Sequence, residues 1–171
     1  MAELVGPSGH VFAVEPDPEN FQYLQANLAR QGATNVTAIN CAISDSVGVA
    51  PFLAGETMFS GLAHTRSESV MRLPLGQVVE VKTKTLDSLA QQFAIPHYIK
   101  VDIENFEVEA LREASNSLAT MSSIACETNH FRQGRRTQTE VETAMGAVGD
   151  AVTTERSRGS YITRARVPRS R

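Results

Sequence analysis

The amino-acid sequence predicts one domain, spanning residues 1–171, built on an open and doubly wound α/β sheet. Apolar strand-like runs alternate with helix-like segments along the chain, and the main runs end in polar residues. The last two runs flank a glycine, which predicts a C-terminal antiparallel hairpin. Helical connections make neighbouring strands parallel, and such sheets bind ligands beyond the carboxyl ends of their strands.

The first β-α-β unit begins with the apolar run Val11–Val14, as expected of a strand covered on both faces. Asp17 caps the following helix and Pro18 occupies its first position. Asn35–Ser44 is the second strand. The helix between the two strands has apolar residues at helical spacing and a glycine stop: Phe21, Leu24, Leu28 and Gly32.

The stretch from residue 45 to residue 81 is rich in glycine, serine and proline, and we interpret it as a hairpin-like insertion. A mobile loop is expected around Ser60–Gly76. The following run, Val78–Thr83, alternates like an exposed or edge strand. A short helix comes next, with apolar positions at Leu86, Leu89 and Phe93.

The second half of the chain repeats the β-α-β pattern. His97–Ile103 is the third main strand and Ser123–Glu127 is the fourth, with Asn105 capping the helix between them. Thr137 and Glu140 form a capping box for the last helix. The apolar stripe of the helix after Asn105 is Val108, Leu111, Ser115 and Leu118. The stripe of the last helix is Val141, Ala144, Met145 and Val148, and Gly159 is the turn of the terminal hairpin.

Composition and charge disfavour several classes of function. The net charge of −3 gives no reason to expect nucleic acid or an anionic membrane as a partner. Cys41 and Cys126 lie in apolar runs, which is typical of small buried side chains rather than of disulfides or metal ligands. No run is long enough to span a bilayer and no signal peptide is evident, so we expect a cytoplasmic protein.

Glu15 is the clearest candidate for ligand binding. In nucleotide-binding sheets of this kind, an acid at a strand end accepts hydrogen bonds from both ribose hydroxyls, because its two oxygens match a vicinal diol. The alternative is that Glu15 favours the N-terminus of the next helix, a role that Asp17 already fills. Adenosine occurs both in S-adenosylmethionine and in nicotinamide cofactors. The other strand-end candidates are the segment 42–45, Asp102 with Glu104, and Glu127 with His130.

Four segments resemble the FkbM-type methyltransferases, in the order of that family, from about Gly9 to Gly149. Residues 11–45 resemble the family's second strand, second helix and third strand. VKTKTLDSL resembles its valine- and threonine-rich strand with the next helix start, and IKVDIENFEVEALREA resembles its Lys-Ile-Asp-x-Glu-Gly-x-Glu signature. IACETNH is similar to its next strand, which ends in Glu with a His nearby.

The resemblance implies a Rossmann-like class I methyltransferase sheet with helices on both faces. It implies S-adenosylmethionine-dependent methyl transfer to a hydroxyl of a small-molecule or saccharide acceptor. In that reaction Glu15 would hold the ribose, Ala42 would lie along the adenine, and Asp45 would be a further polar contact. Asp102 would lie near the methionine moiety or the acceptor, and Asn105 stands where the family prefers glycine.

The family's first strand and the glycine-rich loop after it have no counterpart before Val11 in this sequence. In the family a helix follows that loop, and MAELVGPSG resembles the last turn of this helix and the turn into the next strand. That first strand lies centrally in the family, between the strands that end in Glu15 and Asp102. We therefore expect a truncated chain that forms two half-sheets or a non-family pairing. Unpaired strand edges would allow self-association, and cofactor binding would be weak or absent.

Asp102, His130 and Glu104 are the candidate catalytic residues. A positioned hydroxyl needs a general base, and Asp102 or His130 fits that role. The same carboxylates and histidine would alternatively hold Mg²⁺. Glu104 would alternatively favour the next helix N-terminus, and Lys100 is expected on the strand face opposite Asp102. Loop arginines either recognise an acidic or sugar-linked acceptor or are solvated: Arg132, Arg135 and Arg136.

The sequence leaves three functions open. The first is S-adenosylmethionine-dependent O-methylation, weak or inactive in a truncated chain. The second is a non-catalytic remnant or interaction module that associates through an open sheet edge. The third, a nicotinamide-dependent oxidoreductase, is disfavoured by the motif from Lys100 to Glu107.

Overall fold

The structure is a computed structural model that describes residues 1–55, 61–62, 77–104, 106–114, 116–117, 123–128, 131–132, 135–147, 151–157 and 160–166. Helices and strands alternate along these residues, which confirms the predicted α/β class. They group into two compact units, Met1–Ala42 with Gly48–Thr83 and Ile43–Val47 with Lys84–Arg171. No helix in these ranges is both long and apolar enough to cross a membrane.

The first unit opens with a parallel β-α-β arrangement, as the sequence predicts. Its elements are α1 (Ala2–Val5), β1 (Val11–Val14), α2 (Pro18–Gln31) and β2 (Val36–Ile39). The two strands pair in parallel, from Val11 opposite Val36 to Val14 opposite Ile39. Both strands therefore end at the same edge, where the Glu15 N–H donates to the Ile39 carbonyl at 3.1 Å.

Helix α2 has the two ends that the sequence predicts. Asp17 Oδ1 accepts hydrogen bonds from the backbone N–H groups of Glu19 and Asn20, at 2.9 and 3.1 Å. The other carboxylate oxygen of Asp17 accepts from the Gly55 N–H at 3.3 Å, and the residue is only 3 % exposed. Gly32 ends the helix in the left-handed conformation, with φ 61°, which glycine adopts without strain.

The predicted second strand, Asn35–Ser44, is interrupted. β2 ends at Ile39, and a separate short strand, β3 (Ala42–Ile43), follows it. Between them, the Asn40 side chain donates hydrogen bonds to the carbonyls of Glu15 and Pro16, at 2.9 and 3.3 Å. Through these hydrogen bonds, Asn40 holds the segment after β2 against the turn that follows β1.

The middle of the chain forms the predicted hairpin. β4 (Gly48–Ala54) and β6 (Gln77–Lys84) are antiparallel, and the short β5 (Gly61–Leu62) pairs with β4. The strand order is β3-β6-β4-β5, so β6 lies between two strands and its interpretation as an edge strand is wrong. The other interpretation of this segment, an exposed strand, agrees with Val78, whose side chain is 59 % exposed. Apart from β5, the loop predicted at Ser60–Gly76 lies outside the described residues.

The second unit is built around a four-stranded sheet of order β11-β12-β8-β7. β7 and β8 are parallel, whereas β12 is antiparallel to both of its neighbours, which confirms the terminal hairpin. Gly159, the predicted turn, lies outside the described residues. The elements are α3 (Leu86–Gln92), β7 (Tyr98–Val101), α4 (Glu107–Arg112), β8 (Ser123–Glu127), β9 (Phe131–Arg132), β10 (Arg135–Arg136), α5 (Gln138–Gly146), β11 (Ala151–Ser157) and β12 (Ser160–Arg166).

Helices α4 and α5 cover one face of this sheet. Val108, Val141 and Met145 from the helices are fully buried, and they pack with Ile124 and Cys126 of β8. Burial of one such side chain contributes about 1.5–3 kcal/mol, so this face supplies much of the unit's stability. Three further stripe positions lie outside the described residues: Ser115, Leu118 and Val148.

The capping box predicted at Thr137 and Glu140 is wrong. Thr137 precedes α5 at the expected position, but its side chain makes no capping hydrogen bond. A capping residue needs extended backbone angles to aim its oxygen at the helix N–H groups, and Thr137 has helical ones, φ −68° and ψ −12°.

Strands β1 and β7 are edge strands in the described part of the chain. β1 pairs only with β2, and β7 pairs only with β8. Both belong to parallel pairs, which are usually buried inside larger sheets. The described strands thus form four separate sheets.

Replacing Asp17 with alanine is expected to lower the free energy of unfolding by about 1–2 kcal/mol, because α2 loses its N-cap acceptor. Asp17→Asn is the matched control, since it keeps one oxygen for the helix, and its loss should be clearly smaller. Urea denaturation followed by circular dichroism measures both changes. Equal losses in the two variants would show that Asp17 does not act as a cap.

Candidate active site

The carboxyl ends of β7 and β8 gather three carboxylates around one buried thiol. The parallel register aligns Val101 with Cys126, so that Asp102 and Glu127 follow side by side. Burial raises the pKa of the Cys126 thiol, and the negative charges of Glu107, Asp102 and Glu127 raise it further. The structure therefore brings together the two strand-end acids that the sequence analysis placed at one edge.

Lys100 forms an ion pair with Asp102. Its Nζ atom lies 2.9 Å from Asp102 Oδ2, and the two side chains are 52 % and 36 % exposed. The expectation that Lys100 faces away from Asp102 is wrong, because side chains two positions apart along a strand share one face. An exposed pair of this kind adds little stability, so its main effect is to orient the Asp102 carboxylate.

The turn after β7 contains two glutamates with distinct environments. Glu104 has a left-handed backbone, φ 52°, which costs a residue other than glycine about 1–2 kcal/mol. Glu107 is fully buried in the first turn of α4, and its Oε1 accepts a hydrogen bond from the Ile103 N–H at 3.2 Å. Asn105, between them, lies outside the described residues.

A shallow cavity of about 120 Å³ opens beside these residues. Ligand pockets for molecules of cofactor size are larger, roughly 300–1,000 Å³, so this cavity accommodates only part of a ligand. It combines apolar walls with charged groups of both signs. Its lining residues are Tyr98, Lys100, Ala125, Cys126, Glu127, Ile162 and Arg164.

Glu15 lies at the carboxyl end of β1 in the first unit. Its Oε1 accepts a hydrogen bond from the Asp17 N–H at 2.9 Å. Burial raises the pKa of Glu15 above its ordinary value of 4.5; the Asp17 N–H opposes this rise, and the Asp17 charge adds to it. A carboxylate has about four acceptor sites, so the hydrogen bond to its own turn leaves capacity for a diol.

Ala42 and Asp45, the other proposed cofactor contacts, have contrasting environments. Ala42 is buried, at 3 % exposure, and belongs to the first unit. Asp45 is exposed in the second unit, where its Oδ1 accepts hydrogen bonds from the hydroxyls of Ser44 and Ser46 at 3.2 and 3.0 Å. Ala42 thus offers an apolar contact and Asp45 a fixed acceptor.

The second candidate base and the metal alternative remain predictions. His130 lies outside the described residues. Among the side chains that the structure describes, no group of three or more histidines, cysteines and acids has the arrangement of a metal site.

Glu107 is a site residue that was not among the sequence-based candidates, where it was named only as the end of the motif that begins at Lys100. The spacing of apolar residues along α4 indicates that Glu107 lies on the buried face of this helix. Ala110 and Leu111, three and four positions later, are buried, and residues at these spacings share one helix face. A glutamate on that face is expected to turn inward, towards the ends of the strands.

Comparison with protein families matches residues 1–156 to the methyltransferase FkbM domain. A hexuronic acid methyltransferase of Haloferax volcanii, AglP, is 28 % identical over 126 residues, which make up 72 % of this chain and 49 % of that protein. A protein-L-isoaspartate O-methyltransferase of Methanothrix thermoacetophila is 54 % identical over 39 residues, or 23 % of this chain and 19 % of that protein. No solved structure matches.

The matched part of the chain thus spans about half the length of the first relative and about a fifth of the second. The longer of these two matches covers 72 % of this chain, whereas the family match extends over nearly all of it, from residue 1 to residue 156. On that match, the chain belongs to the FkbM methyltransferase domain family.

Proposed function

We propose that this chain carries out S-adenosylmethionine-dependent O-methylation of a hydroxyl group on a small molecule or a sugar. The observation that carries the proposal is the oriented Asp102 carboxylate beside Glu127, at the ends of parallel strands in an FkbM methyltransferase domain. The similarity to a hexuronic acid methyltransferase supports a sugar as the acceptor.

Asp102 is the proposed general base. S-adenosylmethionine supplies an already activated methyl group, so the protein has to position the acceptor hydroxyl and receive its proton. The Asp102 carboxylate would take that proton as the methyl carbon bonds to the acceptor oxygen and its bond to the sulfonium sulfur breaks, which would leave S-adenosylhomocysteine. Lys100 keeps the carboxylate oriented, and Glu127 offers a second acceptor on the neighbouring strand. Glu104 and His130 remain the further catalytic candidates.

Glu15, Ala42 and Asp45 are the proposed cofactor contacts, within the Rossmann-like arrangement that the family resemblance implies. Glu15 would accept the ribose hydroxyls, and Ala42 would pack against the adenine. In the described part of the chain, no strand is followed by a glycine-rich loop and a helix. We therefore infer that this chain alone holds mainly the nucleoside and binds the whole cofactor weakly.

Glu15→Gln is expected to lower the affinity for adenosine at least about tenfold, because a neutral amide replaces the charged acceptor of two hydroxyls. Glu19→Gln, which removes a neighbouring exposed acid, is the matched control. Because the pKa of Glu15 is raised above 4.5, wild-type affinity should begin to fall at a higher pH than for an ordinary glutamate, as protonation removes the charge. Isothermal titration calorimetry measures both effects.

An equal loss of adenosine affinity in Glu15→Gln and Glu19→Gln would contradict the role of Glu15 as the ribose contact. A micromolar Kd for S-adenosylhomocysteine would contradict the inference that the whole cofactor is bound weakly, since a methionine end held that well requires contacts beyond the nucleoside.

Asp102→Asn is expected to lower kcat for methyl transfer about a hundredfold or more, because the amide cannot accept the hydroxyl proton. Affinity for S-adenosylhomocysteine should stay within about twofold of the wild type. Glu113→Gln, at the C-terminal end of α4, is a control for the loss of one acid in the same unit. Transfer of a labelled methyl group to a sugar acceptor provides the rate, and near-wild-type turnover in Asp102→Asn would exclude Asp102 as the base.

A second candidate function is association through the open edge of β1. The N–H groups of Val11 and Glu15 point to β2, so by alternation that of Val14 points to the open edge. If the edge pairs with another chain, light scattering should show a mass that rises with concentration, and Val14→Pro should abolish the rise. A mass equal to one chain at all concentrations would refute this function.

A further inference from the structure

Three threonines form a chain of hydrogen bonds on the face of the second unit's sheet that α4 and α5 cover. Thr128 and Thr163 are fully buried, and their hydroxyl oxygens lie 3.3 Å apart. The Thr163 hydroxyl lies 2.8 Å from that of Thr154, which is partly buried. The Thr154 hydroxyl donates to Glu142 of α5 at 2.5 Å, and the same carboxylate oxygen accepts from the Gln138 amide at 2.8 Å. We call the three threonines the threonine chain.

The carboxylate of Glu142 sets the direction of these hydrogen bonds. An ionised carboxylate accepts hydrogen bonds and donates none, so the Thr154 hydroxyl donates to Glu142. The Thr154 oxygen is then left to accept from the Thr163 hydroxyl. The Thr163 oxygen in turn accepts from Thr128, whose single hydroxyl proton is shared with the Tyr161 carbonyl at 3.2 Å. Thr154 and Thr163 thus each donate one hydrogen bond and accept one.

The threonine chain holds the backbone at the end of β8. Thr128 directly follows Glu127, and the Tyr161 carbonyl accepts hydrogen bonds both from the Thr128 N–H, at 2.8 Å, and from its hydroxyl. These two bonds continue the pairing of β8 with β12 one residue beyond Glu127. Strand ends open easily, whereas a buried polar network with its partners in place makes the segment that it joins rigid. The position of the Glu127 backbone therefore depends on Thr128.

The threonine chain and the charged groups of the candidate site lie on opposite faces of the sheet. Side chains alternate along a strand, so Glu127 points away from the face of Thr128, to the face that carries Lys100. Glu127 lines the cavity on that face, whereas Thr163 is fully buried on the other. Any effect of Thr163 on the site therefore passes through the backbone of Glu127.

We propose that Thr163 is a positioning residue of the candidate active site. Acting through Thr128, it holds Glu127 at the end of β8, next to the end of β7 that carries Asp102. The inference rests on the proposed function, in which Asp102 receives the proton and Glu127 offers a second acceptor. The rest of the threonine chain, with Glu142, keeps the Thr163 hydroxyl oriented.

The test compares Thr163→Val, which keeps the shape and removes the hydroxyl, with Thr163→Ser, which keeps the hydroxyl and removes a methyl group. In the chain without cofactor, NMR measures how fast the Thr128 amide hydrogen exchanges with solvent. We expect exchange at least about tenfold faster in Thr163→Val and within about threefold of the wild type in Thr163→Ser. With a sugar acceptor, kcat should fall about tenfold in Thr163→Val and recover in Thr163→Ser, while affinity for S-adenosylhomocysteine stays within about twofold in both.

Thr153→Val is the matched control, because Thr153 lies on the neighbouring strand, is exposed, and points to the face opposite Thr154. It should leave the exchange of the Thr128 amide unchanged. If Thr163→Val does not fold, Thr154→Val and Thr154→Ser give the same comparison at a partly buried position of the chain. Exchange that is unchanged in the valine variant, or equally fast in the valine and serine variants, would overturn the proposal, as would the same acceleration in Thr153→Val.

The outcome is separable from that of the proposed function. Faster exchange that serine reverses, in a chain that transfers no methyl group, would support the hold of Thr163 on the end of β8 and refute the proposed function. Methyl transfer that depends on Asp102 but is equally fast in Thr163→Val and the wild type would uphold the function and overturn the positioning role.

Discussion

Parallel pairing of strands is the constraint on which the candidate site depends. Because β7 and β8 run in the same direction, in a register that aligns Val101 with Cys126, their polar ends meet at one edge. The same geometry brings the end of β1 to the end of β2, where Glu15 and Asn40 meet. An antiparallel arrangement would send the acids of successive strands to opposite edges, and no common site would form.

The second unit divides stability and chemistry between the two faces of its sheet. One face carries α4 and α5 and is filled by apolar side chains, with the buried Glu107 at its margin. On the other face Lys100 and Tyr98 are exposed, the latter at 45 %. Parallel strands are usually covered on both faces, and the exposure of Lys100 and Tyr98 distinguishes this face from the helix-covered one within the second unit. The strand ends join the two faces, and the Asp102 carboxylate lies there.

Local chemistry made much of the fold predictable from the sequence. Asp17, Pro18 and Gly32 define the ends of α2 through contacts within a few residues, and the fourth main strand was predicted at its observed bounds. The failures involve information that local patterns lack. Asn40 interrupts a continuous apolar run because its side chain finds carbonyls in another turn. The interior position of β6 depends on which strands pair with it, which its own alternating pattern does not encode.

For the candidate site, the order of the strands was enough to predict that Asp102 and Glu127 lie at neighbouring strand ends. The environment of each side chain could be described only once the fold was known. The burial of Glu107 follows from the packing of α4. The hydrogen bond between Thr128 and Thr163 joins residues 35 positions apart, through a strand pairing that the sequence does not specify.

The central claim is that the joint end of β1 and β2 holds a nucleoside. Amide chemical shifts recorded as adenosine is added test it most directly. The account predicts changes concentrated in Glu15, Asp17 and the segment from Asn40 to Ala42, at the ends of the two strands. Changes confined to the hairpin of β4 and β6, or no change at saturating adenosine, would contradict it.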